Sequence, residues 1–555
     1  MVAKISQKAD DELQALRHKE EEDLIQIMAR RRRMQYLDLG RTTIDIDSLK
    51  IIPEADAQAY QIAVIQSVGK KLRAVVTNPE RKGVAEILDG LKRKKYEVTL
   101  FLVSSTGFQK VLLKYKEVPK FEELKAGLLE ILPPKIEGFG DAIKSVFKLK
   151  AAVETLARES ESKKATEAME LLFAGALNIE SSDVHIEPRE ASAIIRLRID
   201  GVLQDLAEIM LPLYSLLLSR IKLVSEIKLN VQDRPQDGRF TIRIKEDIEV
   251  RTSTLPGPYG ESIVMRLLLP QTISITFEKL GMQPPLFEMM KKELDRPNGM
   301  ILNTGPTGSG KTTTLYAFLK TISSPEYKMI TIEDPIEYKL KNVTQTQVDK
   351  AKGYDFSNGL RSILRQDPDI ILVGEIRDLE TAEIAMHASL TGHLVFSTLH
   401  TNDAAGTVPR LIDLGVKNNI ISPALNIVMA QRLVRILCVK CKKERAPTKE
   451  EEKIISQSFA LVPPAYKPYI PQKISIFDSV GCEICHNTGF KGRIGIFEAF
   501  LVDDEMERLI IKNPPQADVE RAARKQGMLT MHQDGIMKVA SGTTSFEELN
   551  RVVSG

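Results

Sequence analysis

A glycine-rich segment carries the clearest chemistry in this 555-residue chain. It matches the phosphate-binding pattern G-x-x-x-x-G-K-[ST] and consists of Gly305, Pro306, Thr307, Gly308, Ser309, Gly310, Lys311 and Thr312, followed by Thr313. Apolar residues 300–302 before it predict a strand, and residues 313–319 after it predict a helix. Backbone N–H groups in such a loop surround phosphate oxygens. We expect Lys311 to contact the β- and γ-phosphates of ATP, and Thr312 to bind Mg²⁺.

Two acidic residues follow predicted strands later in the chain. Glu333 follows residues 329–332, and Glu375 follows the apolar run 370–373 and Gly374. An ATPase needs a carboxylate near Mg²⁺ and another that orients or deprotonates water. Many phosphate-loop enzymes place Asp at the position of Gly374, so we expect Glu333 or Asp334 to supply the missing acid. The alternative is that these acids cap helix N-termini.

All four cysteines lie in one region and form two C-x-x-C pairs. They are Cys438, Cys441, Cys482 and Cys485. Two such pairs suit tetrahedral Zn²⁺, and four thiolates leave no open position, so we expect a structural zinc site. The alternatives are redox-active or unpaired cysteines, or His486 as a ligand in place of one sulfur.

The elements that position these groups alternate between strand and helix. Within residues 281–434, predicted strands at 329–332, 370–373 and 394–398 are separated by helical segments, a pattern typical of a mostly parallel sheet covered on both faces. The predicted domains are a charged N-terminal helix (1–38), an α/β module (39–132), a linker (133–150), an arginine-bearing module (151–275), the ATPase core (281–434), a tetracysteine zinc subdomain (435–500) and a C-terminal helical region (501–555).

The arginine-bearing module shows hairpin signals. Asp200-Gly201 ends an alternating run and predicts a hairpin turn, and residues 236–240 predict another. Arginines at strand positions lie on a solvated face or contact phosphate from a neighbouring subunit. They are Arg196, Arg198, Arg239, Arg251 and Arg266. Near the start, residues 10–33 predict a charged helix ending in four arginines, which suits a solvated helix end, an anionic lipid or an acidic partner.

Composition excludes several classes of protein. The net charge of +3, the absence of Trp and an aromatic content of 5% argue against a nucleic-acid motor. No apolar run is long enough to span a membrane, and the start has no secretory signal pattern. We therefore expect a cytoplasmic protein that reaches the membrane only peripherally, through partners.

Together these motifs resemble the secretion-ATPase family that powers type II secretion and type IV pilus assembly. The resemblance covers roughly residues 150–555. Beyond the phosphate loop and the four cysteines, it rests on residues 182–188, 235–239, 332–335, 372–378 and 393–400.

The resemblance implies an α/β fold with a RecA-like P-loop ATPase core, preceding α/β modules and a zinc-binding C-terminal insertion. It implies a homo-hexamer in which Glu375 activates water, Glu333 is its acidic partner, and His393 and His400 belong to a segment that senses the γ-phosphate. It further implies that four arginines lie near the phosphates, although a surface or core-capping role is the alternative for each. They are Arg251, Arg266, Arg361 and Arg365.

Family members differ in the process they drive. Retraction motors lack both a zinc insertion and a long N-terminal extension, so we expect a pilus extension motor acting on an inner-membrane platform protein. Type II secretion is the alternative within the family. A nucleic-acid motor, or a scaffold that binds ATP without hydrolysis because of Gly374, is less expected. A cyclic dinucleotide ligand is not predicted.

Overall fold

The computed structural model describes residues 20–40, 42–49, 51–115, 127–157, 162–244, 246–269 and 275–553. The chain divides into two compact units, Met1–Glu123 and Leu124–Gly555. The N-terminal charged segment is helical over residues 20–31, and residues 10–19 of the predicted helix lie outside the described part.

The first unit is a four-stranded sheet with helices. Its elements are α1 (20–31), β1 (Gln35–Tyr36), α2 (Ile46–Leu49), α3 (Glu54–Tyr60), β2 (Ile62–Val68), β3 (Lys71–Val76), α4 (Val84–Arg93), β4 (Glu97–Leu102) and α5 (Ser105–Tyr115). The strand order is β1-β4-β3-β2, with β4 parallel to both neighbours and β2 antiparallel to β3. Helix α4 buries Val84 and Leu91, which are seven residues apart and so lie on one face.

The second unit begins with the arginine-bearing module. Its elements are β5 (Leu128–Glu130), α6 (Pro133–Phe139), α7 (Val146–Ala157), α8 (Ser162–Asn178), β6 (Asp183–Pro188), β7 (Ser192–Ile199), β8 (Val202–Met210), α9 (Leu211–Val224), β9 (Gln236–Arg243), β10 (Asp247–Gly257) and β11 (Gly260–Leu267). The strand order is β5-β9-β10-β11-β6-β7-β8. Strands β7 and β8 form the hairpin predicted at Asp200-Gly201.

The structure corrects three expectations about residues 39–275, namely the end of the first α/β module, the linker and the second hairpin turn. The first α/β module does not extend to residue 132, because β5 pairs with β9 in the second unit. Residues 133–150 are not a linker: they are largely helical, and Ile143 and Leu149 are buried in the module's core. Residues 236–240 belong to strand β9, not to a turn. Gly238 is required there because a Cβ atom would lie 2.3 Å from the Ser225 carbonyl oxygen.

The nucleotide core is a seven-stranded sheet. Its elements are α10 (Pro284–Leu294), β12 (Gly299–Thr304), α11 (Lys311–Thr321), β13 (Met329–Glu333), β14 (Val343–Gln347), α12 (Phe356–Leu364), β15 (Ile370–Val373), α13 (Leu379–Leu390), β16 (Leu394–Leu399), α14 (Thr407–Asp413), α15 (Asn418–Ala424) and β17 (Leu425–Leu437). Every residue of β12, β13, β15 and β16 is buried, as expected for parallel strands covered on both faces.

The cysteine-bearing segment is inserted before the last strand of this sheet. It contains β18 (Lys443–Arg445), α16 (Lys449–Ala460) and β19 (Ile476–Asp478) and leads into β20 (Phe490–Leu501). Helices α17 (Asp504–Ile511), α18 (Gln516–Gln526), α19 (Met531–Ala540) and α20 (Phe546–Val553) follow. The strand order of the large sheet is β14-β13-β15-β16-β12-β17-β20, with β20 antiparallel to β17 and the other neighbours parallel. Residues 490–500, expected in the zinc subdomain, therefore form an edge strand of the core.

Candidate nucleotide site

The strand register brings four functional segments to one edge of the large sheet. Thr304 pairs with Leu399, Val373 pairs with Ser397, and Ile332 pairs with Val373, all between parallel strands. The carboxyl ends of β12, β16, β15 and β13 therefore lie side by side. In parallel α/β sheets this edge forms the ligand crevice.

The phosphate-binding loop follows β12 and ends where α11 begins at Lys311. Gly305 and Gly310 have φ angles of 148° and 90°. A Cβ atom would lie 2.6 Å from the Gln431 carbonyl oxygen at position 305 and 2.8 Å from the Gln431 side-chain nitrogen at position 310. Both positions need glycine because strand β17 lies directly behind the loop. Thr312 and Thr313 lie in the first turn of α11.

Gln431 was not singled out from the sequence, although it anchors this loop. Its Oε1 accepts hydrogen bonds from Asn303 at 3.0 Å and from Thr314 at 2.9 Å, and the side chain is buried. The signal available in the sequence was an amide that directly follows the apolar run 427–430. A buried amide there indicates a specific hydrogen-bond partner.

Lys311 is almost fully enclosed, with 9% of its surface exposed. Its Nζ donates hydrogen bonds to the carbonyl oxygens of Gly305 at 2.7 Å and Pro306 at 3.0 Å. Burial lowers the pKa of Lys311 to about 8, although the nearby Glu375 carboxylate opposes this shift. Two neutral carbonyl groups do not neutralise the ammonium, so the loop favours an anion such as phosphate.

Glu375 lies just after β15 and is mostly buried. Its carboxylate oxygens lie 2.5 Å from Arg377 Nη2 and 3.4 Å from His400 Nε2. Gly374 precedes it, and a Cβ atom there would lie 3.2 Å from the Ile332 carbonyl oxygen. The close approach of β13 makes any side chain at position 374, including that of aspartate, a tight fit.

Glu333 ends strand β13 with 3% of its surface exposed. Its carboxylate accepts hydrogen bonds from Thr331 Oγ1 at 2.6 Å, from Gln345 Nε2 at 3.2 Å and from the Tyr316 hydroxyl. Burial raises the pKa of Glu333, while these three donors oppose the shift. The side chain is held in place and is not a helix cap.

The two predicted histidines occupy opposite ends of β16. His400 follows the strand at the carboxyl edge and contacts Glu375. His393 precedes the strand, and its Nδ1 lies 2.9 Å from the Ala388 carbonyl oxygen. Because the six strand residues lie between them, seven steps of about 3.3 Å separate the two histidines by roughly 23 Å. The structure therefore does not bring His393 to the site.

Arg251 joins the arginine-bearing module to the core. Its guanidinium donates to Glu337 Oε2 at 2.9 Å and to the Ile336 carbonyl oxygen, in the segment that follows Glu333. Arg266 stands directly opposite Arg251 on the neighbouring antiparallel strand, so the two side chains leave the same face. Arg266 is mostly exposed, and its Nε donates to Asp183 at 3.0 Å.

Arg361 and Arg365 lie on or just after α12, on the surface of the core. Arg361 forms an ion pair with Glu380 at 2.7 Å, and Arg365 donates to the Arg361 carbonyl oxygen and to Ser362. Neither contacts Lys311, Glu333 or Glu375 within the chain.

The four cysteine sulfurs all lie within 4.8 Å of one another. The separations are 3.9 Å for Cys438–Cys482, 3.7 Å for Cys441–Cys485 and 3.7 Å for Cys482–Cys485. A tetrahedral ion with Zn–S bonds of about 2.3 Å places its sulfurs about 3.8 Å apart. Backbone N–H groups of Cys482 and Gly489 also point at Cys485 Sγ, at 3.2 and 3.3 Å. The donor set fits a tetrahedral zinc ion.

A phosphate loop and two carboxylates at the carboxyl edge of a parallel sheet define a P-loop ATPase. The family model described as type II/IV secretion system protein matches residues 158–551. The chain therefore belongs to the type II/IV secretion system protein family and is an ATP-hydrolysing enzyme.

Individual relatives cover nearly the whole chain. The type IV pilus assembly ATPase PilB of Myxococcus xanthus is 32% identical over 534 residues, which is 96% of this chain and 91% of the relative. The type II secretion system protein E of Dickeya dadantii is 38% identical over 504 residues, which is 90% of this chain and 97% of the relative. The ATPase DotB of Yersinia pseudotuberculosis shares the fold, at TM-score 0.50 and 19% identity, over 70% of this chain and 92% of its own. Among the described residues, no helix is long and apolar enough to cross a membrane.

Proposed function

We propose that this protein is a hexameric motor that couples Mg-ATP hydrolysis to type IV pilus assembly at the inner membrane. The observation that carries the proposal is the contact of Arg251 with the segment following Glu333. It joins a separate module to an acidic strand end of the ATP site. A module held by the site moves when the site changes, which is what a motor requires.

Each group at the carboxyl edge takes a role in hydrolysis. Lys311 neutralises charge on the β- and γ-phosphates, and Glu375 orients and deprotonates the attacking water. The Thr312 hydroxyl and the Glu333 carboxylate would hold Mg²⁺, directly or through water, and Mg²⁺ would neutralise phosphate charge there. His400 contacts Glu375, and we assign to it the response to the γ-phosphate.

Four arginines support a role for subunit assembly in hydrolysis. Arg251 and Arg266 share one face of the arginine-bearing module, and a guanidinium stabilises charge that develops on phosphate. Arg361 and Arg365 are exposed on the core and would contact a neighbouring subunit in a ring. We infer a homo-hexameric ring that acts peripherally on an inner-membrane platform protein, with no role for nucleic acid.

The tetracysteine cluster would hold structural Zn²⁺. Four thiolates fill the coordination shell, so zinc would contribute folding energy to the insertion and take no part in hydrolysis. Cys485 receives two backbone N–H groups, which pre-orient its sulfur.

Type II secretion is the second candidate process, favoured by the 38% identity to a type II secretion protein along 90% of the chain. The test is deletion of the gene in its host, complemented by wild-type protein or by Lys311→Ala. We expect surface pili, counted by electron microscopy, to disappear and to return only with the wild type. Loss of secreted enzymes with normal pili would establish the second process, and an unchanged host would contradict both.

A further inference from the structure

Two polar side chains with no role in the proposed hydrolysis, Tyr316 and Gln345, surround the buried Glu333 carboxylate. Tyr316 comes from α11, the helix that begins at Lys311, and Gln345 comes from β14. Both direct hydrogens at the same carboxylate, together with Thr331 of its own strand.

We propose that Tyr316 and Gln345 are positioning residues that hold the Glu333 carboxylate in the orientation needed for Mg-ATP hydrolysis. This inference rests on the proposed role of Glu333. Neither side chain touches the reacting atoms, and each acts through Glu333.

Tyr316 links the acid to the phosphate-binding helix. It stands five residues after Lys311 and is fully buried, and its ring packs edge-on against Tyr338 at 4.6 Å. Its hydroxyl donates to Glu333 Oε2. A buried hydroxyl held between a ring contact and a carboxylate has one favourable direction. Helix α11 thereby carries both Lys311 and a hydrogen-bond donor to Glu333.

Gln345 fixes the other carboxylate oxygen. Its Nε2 donates to Glu333 Oε1 at 3.2 Å and to the Tyr338 carbonyl oxygen at 3.1 Å, and its Oε1 accepts from the Leu340 N–H at 2.7 Å. The same Nε2 also donates to the Tyr316 hydroxyl at 3.4 Å, so four partners fix the orientation of the amide. Two of its partners, Tyr338 and Leu340, follow closely after Ile336 and Glu337, which Arg251 contacts. Gln345 therefore links Glu333 to the same chain segment that the arginine-bearing module contacts.

The experiment measures kcat, KM for ATP and the melting temperature of the full chain. The variants are Tyr316→Phe, which removes only the hydroxyl, and Gln345→Met, which keeps the length but removes both hydrogen-bonding groups. We expect kcat to fall at least about tenfold in each, with KM changed less than about twofold, because a misaligned carboxylate weakens the transition state more than it weakens ATP binding. The matched control is Tyr338→Phe, which alters the neighbouring ring of the same cluster and should keep the wild-type kcat.

The outcomes separate this inference from the proposed role of Glu333. If Glu333→Gln abolishes turnover while Tyr316→Phe and Gln345→Met keep the wild-type kcat and melting temperature, the positioning inference is wrong and the role of Glu333 stands. If Glu333→Gln hydrolyses ATP normally, the role itself is wrong. If Tyr338→Phe lowers kcat equally, general packing of the cluster explains the effect and the inference fails.

Discussion

ATP affinity should fall as pH rises, because Lys311 is desolvated. Burial lowers the pKa of Lys311 to about 8 in a loop where its Nζ has only carbonyl partners in hydrogen bonds. A phosphate beside the ammonium favours the charged form and raises the pKa in the complex. Binding therefore takes up a proton at any pH above the pKa of the free protein, and affinity is greatest below that pKa.

The size of the effect follows from this single titration. With a pKa of about 8 before binding and a much higher one after it, the Kd for ATP scales as 1 + 10^(pH − pKa). This factor is about 1.1 at pH 7, about 2 at pH 8 and about 11 at pH 9. The Kd should rise roughly tenfold from pH 7 to pH 9, which corresponds to about 1.4 kcal/mol.

Titration calorimetry with Mg-ADP, which is not hydrolysed, measures this dependence directly. Buffers of different ionisation enthalpy should report uptake of nearly one proton per bound nucleotide at about pH 9 and almost none at about pH 6.5. Lys311→Arg is the matched control. Its guanidinium stays charged throughout, so its Kd for nucleotide should be higher than that of the wild type but independent of pH. A wild-type Kd that stays constant from pH 7 to 9, or a slope retained in Lys311→Arg, would refute the assignment of the titration to Lys311.

Three further outcomes test the remaining groups. Glu375→Gln should bind Mg-ATP with a Kd within about threefold of wild type and show no phosphate release, because only the water-activating carboxylate is lost; normal turnover would contradict its role. Cys485→Ser should remove the zinc that elemental analysis detects and lower the melting temperature, while the Kd for nucleotide stays constant. His486→Gln should keep one zinc per chain. A metal-free wild-type protein of equal stability would contradict the zinc proposal. Arg251→Ala should lower kcat by about 10²–10³-fold with hexamers retained by light scattering, and a wild-type rate would contradict the coupling proposal.

The sequence predicted the parts of the site whose spacing is local. The phosphate loop between an apolar strand and a helix requires glycines at fixed positions, and both Gly305 and Gly310 have positive φ. The C-x-x-C spacing predicted a cluster that does close, with its sulfurs within 4.8 Å. Each pattern can be recognised from neighbouring residues, although the fold completes the geometry: strand β17 lies behind the two glycines, and the two cysteine pairs, 44 positions apart, meet only in the folded chain.

Groups that depend on strand order could not be predicted in the same way. His393 and His400 are seven positions apart, and only the direction of β16 shows that they lie at opposite edges of the sheet. Strand β14 pairs with β13 so that Gln347 lies opposite Glu333 and Gln345 lies opposite Thr331. Gln345 therefore lies diagonally beside Glu333 on the same face of the sheet. Gly238 resembles a turn signal, but it is needed because Ser225 lies against strand β9. Long-range packing, not local composition, sets these positions.

The contacts of the two module arginines indicate how hydrolysis would be coupled to movement. Arg251 is held by Glu337 and the Ile336 carbonyl oxygen, and Arg266 is held by Asp183. To reach phosphate, each guanidinium must exchange an oxygen partner for a phosphate oxygen. Exchange of one charge-assisted hydrogen bond for another changes the free energy little, so a phosphate group can shift the balance by a modest amount. Because the partners of Arg251 lie directly beyond Glu333, release of Arg251 would free the module from the segment that ends in the catalytic crevice. ATP binding would then release the module by replacing Glu337 with phosphate at Arg251, and loss of the γ-phosphate would return Arg251 to Glu337.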